Sequence, residues 1–330
     1  MKKIILLHHE GYFGQSLPTF KTMDIGLIKT SLERYGFCVS TLTFQELVSH
    51  EVEEKTYYVC GSHQNPNVKA FLDDILDLKF DKRNNLIPSR QLIKAHDNKG
   101  YQGELAKLIG LPYVNQHYYI ESINIKERSV AKVLGGAGSG GVKLIESGRE
   151  LISFLRLNHF KKIGIKRIGY LARAYFQVRL KKSIENENKW NYYRWREPYV
   201  IQDFIPNLLH DFKVLVFGEK VFVLKRGTRE NDFRASGSGK FDFIKPTKDL
   251  LNFALNFKNA LNTPYVSIDV VEHSGGFECI EYQCAHFGPY TQMNAPCYYV
   301  KDGDSWLEMQ NDTTLEELIA SSIVDNIRNV

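Results

Sequence analysis

The first ninety residues alternate between strand and helix patterns, and this alternation constrains the fold more than any other feature of the chain. Apolar runs at Lys3–Leu7, Phe37–Leu42 and Thr56–Cys60 are typical of short buried strands. Between and after them, Asp24–Tyr35 and Val68–Leu78 space their apolar residues as amphipathic helices do. This order predicts a small parallel sheet covered by helices. No G-x-G-x-x-G motif follows the first strand, so a dinucleotide-binding domain lacks its main signature.

After residue 200 the pattern changes to paired strands. The runs Phe212–Phe217 and Lys220–Lys225 are separated by only two residues, Gly and Glu, which predicts a tight hairpin. The runs Val266–Val271 and Phe277–Tyr282 flank the turn-rich segment HSGG and predict a second hairpin. The capping pattern TLEE begins a predicted C-terminal helix at Thr314–Ile327. The fold class is therefore predicted to be mixed α/β (α+β), with a large antiparallel component in the C-terminal part.

Composition and charge narrow the class of protein. The 43% hydrophobic and 25% charged residues are typical of a soluble globular protein. A net charge of +5 suits an anionic ligand such as a nucleotide, but a domain dedicated to nucleic acid would be more basic. The five cysteines lack CxxC spacing and indicate reduced thiols of a cytoplasmic protein. The N-terminal apolar run IILL is too short for a signal peptide, and no stretch is long enough for a membrane span.

The segment Leu151–Ile184 differs from the rest of the chain, because it contains nine Lys or Arg residues and no Asp or Glu. Three interpretations remain open: a helix pair with a solvated basic face, a basic amphipathic helix on an anionic membrane surface, and a patch that receives an acidic substrate or partner. Gly164 and Gly169 interrupt the helical pattern, which weakens the membrane interpretation.

A glycine-dense loop, GGAGSGG, follows the predicted strand that contains Lys132. Such a loop lets backbone N–H groups close around phosphate oxygens, and Lys132 could neutralise phosphate charge. The loop is not a Walker motif, since no Gly-Lys-Ser/Thr ends it. A flexible hairpin tip is the commoner explanation of a glycine-rich turn taken alone.

Asp269 and Glu281 lie on the two strands of the second predicted hairpin, and Gln283 shares a strand face with Glu281. Two carboxylates and one amide carbonyl make a plausible ligand set for Mg2+. By spacing alone, two unrelated surface acids remain the favoured interpretation.

Three further features have ordinary explanations. His8 and His9 end the first strand and could touch a second substrate, but a polar strand end is the favoured interpretation. The run KWNYYRWREPYV could stack on nucleic acid, although a half-buried strand is the preferred prediction. Cys284 and His286 could form a nucleophile pair, but no third orienting group is visible.

Five blocks resemble, in the same order, the sequence blocks of ATP-grasp enzymes. HDNKGYQGELAKLIGLPYV is similar to the lysine-led helix before the lid, and VAKVLGGAGSGGVKLI resembles the lid strand and its flexible loop. YVIQDFIPNLLHDFKVLVFGEKVFVLKR resembles the hinge and the strands after it. RENDFRASGSG and SIDVVEHSGGFECIEYQ resemble the arginine-bearing loop and the metal-binding hairpin of the ribosomal-protein glutamate ligase (carboxylate–amine ligase) branch. Together the blocks cover most of residues 95–290.

The resemblance implies an ATP site. The residues assigned to it are Lys99, Lys132, Gly138, Gly140, Gln202, Asp203, Phe204, Ile205 and Asp211. The two lysines and the loop glycines would contact phosphates, and the four consecutive hinge residues would line the adenine. The last aspartate would approach the ribose or a nearby basic residue.

The resemblance also implies catalytic and metal-binding roles. Arg226 and Arg234 would stabilise charge on the transferred phosphoryl group and on an acyl phosphate. Asp269, Glu281 and Gln283 would hold Mg2+, with Mn2+ as the alternative ion.

Three positions depart from the family pattern. The metal hairpin of the family usually ends Glu-x-Asn, whereas Gln283 is one methylene longer and predicts a relaxed metal site. Asp203 stands where glutamate is common in the hinge. Lys213 replaces an arginine typical of the branch and cannot form a bidentate fork.

The implied architecture is an ATP-grasp fold with an N-terminal βαβ lobe (1–92), a lid subdomain (93–199) with the basic insertion 151–184, and a C-terminal antiparallel lobe (200–330). The implied activity is an ADP-forming carboxylate–amine or carboxylate–thiol ligase that acts through an acyl phosphate, in glycan or peptide modification. An ATP-grasp kinase and a catalytically degenerate nucleotide-binding protein are the alternatives. Expected partners are ATP, a carboxylate substrate and an amine acceptor, without nucleic acid; transient membrane contact and a homodimer stay open.

Overall fold

The computed structural model describes residues 2–135, 140–160, 165–180, 183–193, 196–230, 232–285 and 287–328. The chain forms two compact units. The first unit consists of Met1–Val114 and Ile205–Val330, and the second consists of Asn115–Phe204. The division into three lobes at residues 92 and 199 stays a prediction.

A four-stranded parallel sheet occupies the N-terminal part of the first unit, in the spatial order β2-β1-β3-β4. Its strands are β1 (Lys3–His8), β2 (Cys38–Thr43), β3 (Thr56–Cys60) and β4 (Leu86–Ile87). The helices of this part are α1 (Ile25–Arg34), α2 (Phe44–Leu47), α3 (Pro66–Phe80), α4 (Arg90–Asp97) and α5 (Lys99–Leu108). The predicted βαβ arrangement is confirmed.

The central strand of this sheet is buried on both faces. Ile4 and Leu6 of β1 join one apolar cluster, and Ile5 and Leu7 join another on the opposite face. Continuous burial of successive residues is expected for a parallel strand covered by helices on both sides. Local capping fixes where α1 begins, because the Asp24 carboxylate accepts hydrogen bonds from the first-turn backbone at 2.8 and 3.1 Å.

The second unit contains a four-stranded antiparallel sheet in the order β5-β8-β6-β7. Its elements are β5 (Gln116–Tyr119), β6 (Ser129–Val133), β7 (Val142–Ile145), α6 (Gly148–Phe160), α7 (Ile165–Leu180), α8 (Ile184–Tyr193) and β8 (Tyr199–Asp203). Leu151, Phe154 and Leu155 of α6 pack against Ala131 and Ile201 of the sheet. Within the basic segment, residues 151–160 and 165–180 are helical, and Gly169 lies inside α7 without interrupting it. Gly164 lies outside the described residues.

The predicted strand over KWNYYRWREPYV is wrong for the first half of that run. Residues 189–193 continue helix α8, and strand β8 begins only at Tyr199. The reason is a helix–helix contact that outweighs the alternating pattern: the ring of Trp190 packs edge-on against Tyr175 of α7, with centroids 5.6 Å apart. In addition, the Asn186 amide donates to the Gln177 carbonyl at 3.4 Å.

A larger antiparallel sheet, in the order β13-β12-β9-β10-β14-β15 with β11 beside β10, completes the first unit. Its strands are β9 (His210–Phe217), β10 (Lys220–Gly227), β11 (Phe241–Asp242), β12 (Tyr265–His273), β13 (Gly276–Gln283), β14 (Cys297–Asp302) and β15 (Ser305–Gln310). The accompanying helices are α9 (Lys248–Ala260), α10 (Tyr290–Asn294) and α11 (Leu315–Arg328). Both predicted hairpins are present. Gly218 has a φ of 57° in the first hairpin turn, a conformation that glycine adopts without steric cost.

The two faces of this sheet have different environments. Val214 and Ile268 point into the apolar cluster that contains Leu250 and Ala254 of α9. Leu215 of the opposite face packs instead in the cluster formed by α1, α11 and strand β1. This second face carries the charged residues described below. None of the described helices is both long enough and apolar enough to cross a membrane.

Candidate active site

The two neighbouring hairpins bring five charged side chains onto one face of the large sheet. Asp269 of β12 lies opposite Glu281 of β13 on one side and opposite Lys213 of β9 on the other. Asp211 lies two residues before Lys213 and opposite Arg226 of β10. Directly opposed residues, and residues two apart on one strand, share a face of the sheet. We call these five residues the charged row.

Every carboxylate of the charged row contacts a cation. Lys213 Nζ lies 2.9 Å from Asp269 Oδ1, and Arg226 Nη2 lies 3.0 Å from Asp269 Oδ2. Arg226 also forms a fork with Asp211, from Nε to Oδ1 at 2.6 Å and from Nη2 to Oδ2 at 2.8 Å. Charge-assisted bidentate pairs of this kind hold the guanidinium in a fixed plane. The row therefore holds the Arg226 guanidinium in a preset geometry, with three carboxylates and two cations on one face of the sheet.

Burial and charge act against each other in this row. Burial alone would raise the pKa of Asp269, but Arg226 and Lys213 outweigh it and hold the pKa well below the ordinary value. Burial raises the pKa of Asp211, which Arg226 opposes. Burial would lower the pKa of Arg226, but Asp269 and Asp211 raise it further than burial lowers it. Asp269 is consequently an anion at any physiological pH.

A sixth charge comes from the start of helix α5. Lys99 is the first residue of α5, whose N-cap Asn98 accepts a hydrogen bond from Tyr101 N at 2.9 Å. The Lys99 side chain is mostly buried, and its Nζ lies 3.5 Å from Glu281 Oε1. Lys99 and Glu281, both assigned to the site from sequence, are therefore brought together at the end of the charged row.

Gln102 fixes helix α5 against strand β13, and sequence reasoning missed it. Its side chain is 1% exposed. Nε2 donates to Tyr282 O at 2.5 Å, and Oε1 accepts from Tyr282 N at 3.3 Å and from the Tyr113 hydroxyl at 3.0 Å. Because Gln102 stands one turn after Lys99, these bonds set the position from which Lys99 reaches Glu281. A polar residue on the inward face of an amphipathic helix was the signal available in the sequence.

The third predicted metal ligand also lies at the hairpin. Gln283 is opposite Ser267 in the strand register, and its Nε2 lies 3.4 Å from Glu281 Oε1. Asp269, Glu281 and Gln283 thus share one face and offer oxygen atoms, the ligand type that Mg2+ prefers. The buried hydroxyl of Ser267 beside Gln283 has no hydrogen-bond partner in the described part of the chain. This donor set fits a hard divalent cation that keeps other ligands from phosphate or water. Among the described residues, no group of three or more His, Cys, Asp or Glu side chains is arranged as a metal site.

Arg234 forms a separate ion pair in the loop after β10. Its Nη2 lies 2.6 Å from Asp232 Oδ2, and its Nε lies within 3.0 Å of both Asp232 oxygens. Arg229 of the same loop donates to Ser236 O at 2.7 Å. The two predicted catalytic arginines therefore differ in setting: Arg226 is buried within the sheet, and Arg234 is partly exposed on a loop.

The remaining predicted ATP residues belong to the second unit, apart from half-buried Ile205 of the first unit. Lys132 of β6 and Gln202 of β8 are buried and share one face of their sheet, since Lys132 opposes Val200. Gln202 donates to Gln116 Oε1 at 3.4 Å.

The other residues predicted for the hinge and the glycine-rich loop lie in different local environments. Asp203 is exposed and accepts from Asn115 Nδ2 at 3.1 Å. Phe204 lies under the Arg128 guanidinium at 5.6 Å. Gly140 is exposed in the turn before β7, and Gly138 lies outside the described residues.

The alternative nucleophile has unfavourable properties. Cys284 is buried, and burial raises the pKa of its thiol far above the ordinary value. A thiol that stays protonated is a poor nucleophile. His286 lies outside the described residues. At the end of β1, the ring of His9 lies 5.0 Å from that of His63, which in turn lies 5.0 Å from the ring of Tyr12.

Comparison with known proteins identifies the fold. No protein-family profile and no curated protein sequence matches the chain. D-cycloserine synthetase DcsG matches with a TM-score of 0.53 and 11% identity over 98% of this chain and 99% of that chain. D-alanine–D-alanine ligase from Bacillus anthracis, solved with ATP, matches with a TM-score of 0.52 and 13% identity over 100% of both chains. A RimK domain ATP-grasp protein from Sphaerobacter thermophilus matches with a TM-score of 0.52 and 10% identity over 98% of this chain and 99% of that chain.

The chain therefore has the ATP-grasp fold, as the five sequence blocks predicted. Identities of this size show the fold alone. Activity has to be argued from the residues of the charged row and its neighbours.

Proposed function

We propose that this chain is an ATP- and Mg2+-dependent ligase that activates a carboxylate as an acyl phosphate and transfers the acyl group to an amine. A carboxylate oxygen would attack the γ-phosphorus of ATP and release ADP. The amine would then attack the acyl carbon, release phosphate and lose a proton.

One observation carries the proposal: two carboxylates lie opposite each other on a hairpin, and three cations lie within 3.5 Å of them. Phosphoryl transfer depends on fixed positive charge around the reacting phosphate and on a divalent cation beside it. The register Asp269–Glu281 supplies oxygens for the cation. Lys99, Lys213 and Arg226 supply the fixed charge.

Roles follow from these positions. Asp269, Glu281 and Gln283 would hold Mg2+, which would supply charge neutralisation for the phosphates. Arg226, locked by Asp211, would stabilise the transferred phosphoryl group from a buried position. Lys213 would supply a point charge, because its ammonium group cannot form the bidentate contact of an arginine.

Other assignments rest on the sequence resemblance together with the local settings. Lys99 and Lys132 would contact phosphates, and the loop with Gly138 and Gly140 would cover them. The hinge residues at 202–205 would line the adenine, Asp211 would act through Arg226, and Arg234 would contact the acyl phosphate. D-alanine–D-alanine ligase, which has a similar fold, was solved with ATP, and this supports the proposal that the chain binds ATP.

Hydroxylamine provides the most direct test, because it captures any acyl phosphate as a stable hydroxamate. ADP release and hydroxamate formation would be measured over a panel of amino acids, short peptides and sugar acids. The expected result is ADP and hydroxamate in equal amounts, with both carboxylate and MgATP required. ADP with a stable phosphorylated product and no hydroxamate would instead establish a kinase.

One observation favours a second candidate, a nucleotide-binding protein without turnover. Both oxygens of Asp269 contact cations at 2.9 and 3.0 Å, and Gln283 lies against Glu281 rather than leaving it open. A site whose carboxylates are satisfied by protein cations can bind an anionic nucleotide without holding a metal firmly. Calorimetry that finds ATP binding, with no ADP from any member of the panel, would support this candidate and contradict the ligase.

A further inference from the structure

Helix α7 carries an apolar ridge on its outer side. Ile168, Ala172, Phe176 and Leu180 recur at every fourth position and therefore lie along one line of the helix surface. All four are exposed, and the three larger ones are 40%, 60% and 81% exposed, respectively. Scattered exposed apolar residues are normal, but four in line on one helix form a continuous stripe. We call these four residues the α7 ridge.

Contacts with α8 determine which side of α7 faces outward. Ala174 is buried, the ring of Tyr175 packs on Trp190 of α8, and the Gln177 carbonyl accepts from Asn186. Ala174 lies on the side of α7 opposite the α7 ridge, whereas Tyr175 borders the ridge and its ring also contacts that of Phe176, with centroids 6.0 Å apart. The helix thus packs inward with the side that contains Ala174 and leaves the α7 ridge exposed among the described residues.

Positive charge flanks the α7 ridge. Arg173 and Arg179 are exposed, and the Arg179 guanidinium lies 5.5 Å from the centre of the Tyr175 ring. Across residues 151–184 the sequence contains nine Lys or Arg and no Asp or Glu. Acidic residues begin only on α8, where Glu185 is paired with Lys189 at 2.9 Å.

We propose that the α7 ridge and its flanking basic residues bind an anionic lipid surface. An apolar stripe bordered by arginines is the arrangement by which a helix lies in the headgroup region, with its apolar side chains between acyl chains and its cations at the phosphates. A ridge is convex, so a folded protein partner would need a matching groove, whereas a bilayer adapts to a convex helix. The charge of the segment selects anionic over neutral lipid.

This proposal is independent of the ATP chemistry, and its test needs no turnover. The full chain would be floated with vesicles of phosphatidylcholine alone, and with vesicles containing about 30% phosphatidylglycerol, in about 0.1 M salt. We expect binding to the anionic vesicles only, and a decrease when salt is raised to about 0.5 M. The double substitution Phe176→Ser and Leu180→Ser should weaken this binding about tenfold or more, because it removes the two most exposed large side chains of the ridge.

The matched control removes equally exposed apolar side chains elsewhere. Leu78 and Leu108 of the first unit are 79% and 80% exposed, so Leu78→Ser with Leu108→Ser should leave vesicle binding unchanged. Circular dichroism would verify that both double variants keep their helices.

Three outcomes would overturn the proposal: no binding to anionic vesicles, equal loss in ridge and control variants, or binding of soluble polyglutamate through the ridge without binding of vesicles. The last outcome would identify an acidic polypeptide as the partner instead.

Discussion

The Arg226 guanidinium on β10 reaches across strand β9 to the Asp269 carboxylate on β12, with Nη2 3.0 Å from Oδ2. The same Nη2 lies 2.8 Å from Asp211 Oδ2 on the strand between them. One cation therefore links three strands of the sheet through two buried carboxylates. The pairing preorganises the face on which the proposed metal ligands lie, so structure and proposed chemistry depend on the same contact.

Replacing Arg226 by methionine should destabilise the first unit. The substitution leaves Asp211 buried without its fork, and breaking a buried pair in this way costs about 3–5 kcal/mol. Arg226→Lys keeps a charge but loses the bidentate geometry, and we expect a smaller loss of about 1–3 kcal/mol. Urea denaturation followed by circular dichroism measures both. If Arg226→Met were as stable as the wild type, the pair with Asp211 would not hold the sheet together.

Asp269→Asn should reduce ADP formation strongly and should also lower stability, because Lys213 and Arg226 lose a buried anionic partner. Turnover is therefore measured under conditions in which circular dichroism shows that the variant is folded. The amide keeps the size of the side chain but removes the charge that contacts Lys213, Arg226 and the proposed metal. We expect turnover to fall by about 100-fold or more, as is typical when a fixed charge is removed from a phosphoryl-transfer site. Glu272→Gln is the control, because Glu272 is an exposed acid on the same strand. Equal activity of the two variants would contradict the assignment of Asp269.

Gln102→Leu should test whether the fixed position of Lys99, and not only its charge, contributes to ATP binding. The leucine leaves the Tyr282 backbone N–H and carbonyl without their side-chain partner, at a cost of about 1–3 kcal/mol in unfolding free energy. It also releases the start of α5, so the KM for ATP should rise severalfold as Lys99 loses its fixed position. Gln102→Glu keeps the acceptor atoms but places a buried carboxylate against the Tyr282 and Ala95 carbonyls, so we expect a stability loss at least as large as that of Gln102→Leu. A stability loss without any change in KM would show that Gln102 acts on the fold alone.

The sequence predicted the outline of the fold because its strongest signals are local. The strand patterns predicted the ends of β1, β3 and the four hairpin strands to within one or two residues. The turn residues predicted where each hairpin reverses. The failure at Trp190 has a physical cause: its packing partner Tyr175 lies on another helix, and a pattern within one segment does not contain that contact. The basic segment 151–184 was ambiguous for the same reason, since packing on α8 decides which side of α7 is outward.

The placement of Asp269 and Glu281 on one hairpin was predictable from the sequence, but the ion pairs around them were not. Asp269 and Glu281 followed from the resemblance of the hairpin, and the register of β12 with β13 sets them opposite each other. The sharing of Arg226 between Asp211 and Asp269 depends on the strand order, with β9 between β10 and β12. Strand order is a long-range property that spacing along the chain does not encode. Gln102 was missed for a similar reason, because its partner Tyr282 is 180 residues away.

Substitutions at Gln283 should reveal whether its carbonyl serves the metal. Gln283→Asn restores the side-chain length typical of the family hairpin and should lower the concentration of Mg2+ needed for half-maximal ATP binding. Gln283→Leu removes the carbonyl at similar volume and should raise that concentration about tenfold, the scale expected when one oxygen donor or its support is lost. Calorimetric titration of ATP at several Mg2+ concentrations gives both values. Identical Mg2+ dependence in the two variants would exclude Gln283 from the metal site.

The buried imidazole of His96 should make the protein less stable in acid. Burial lowers the pKa of His96 from the ordinary value of 6.5 to about 4, with Asp97 acting in the opposite direction. Between those two pH values the unfolded chain binds a proton that the folded chain does not bind, so stability falls as pH decreases from 7.5 to 4. The full effect approaches about 3 kcal/mol.

His96→Gln removes this titration and should flatten the dependence of unfolding free energy on pH. The difference between wild type and variant at pH 7.5 serves as the internal reference for any packing effect of the glutamine. Relative to that reference, the unfolding free energy of the variant at pH 5 should exceed that of the wild type by about 2 kcal/mol, because most of the linked protonation has occurred at that pH. The measurement is urea denaturation at half-unit steps of pH. Parallel curves for the two proteins would show that His96 does not titrate with unfolding and that the acid lability of the chain arises elsewhere.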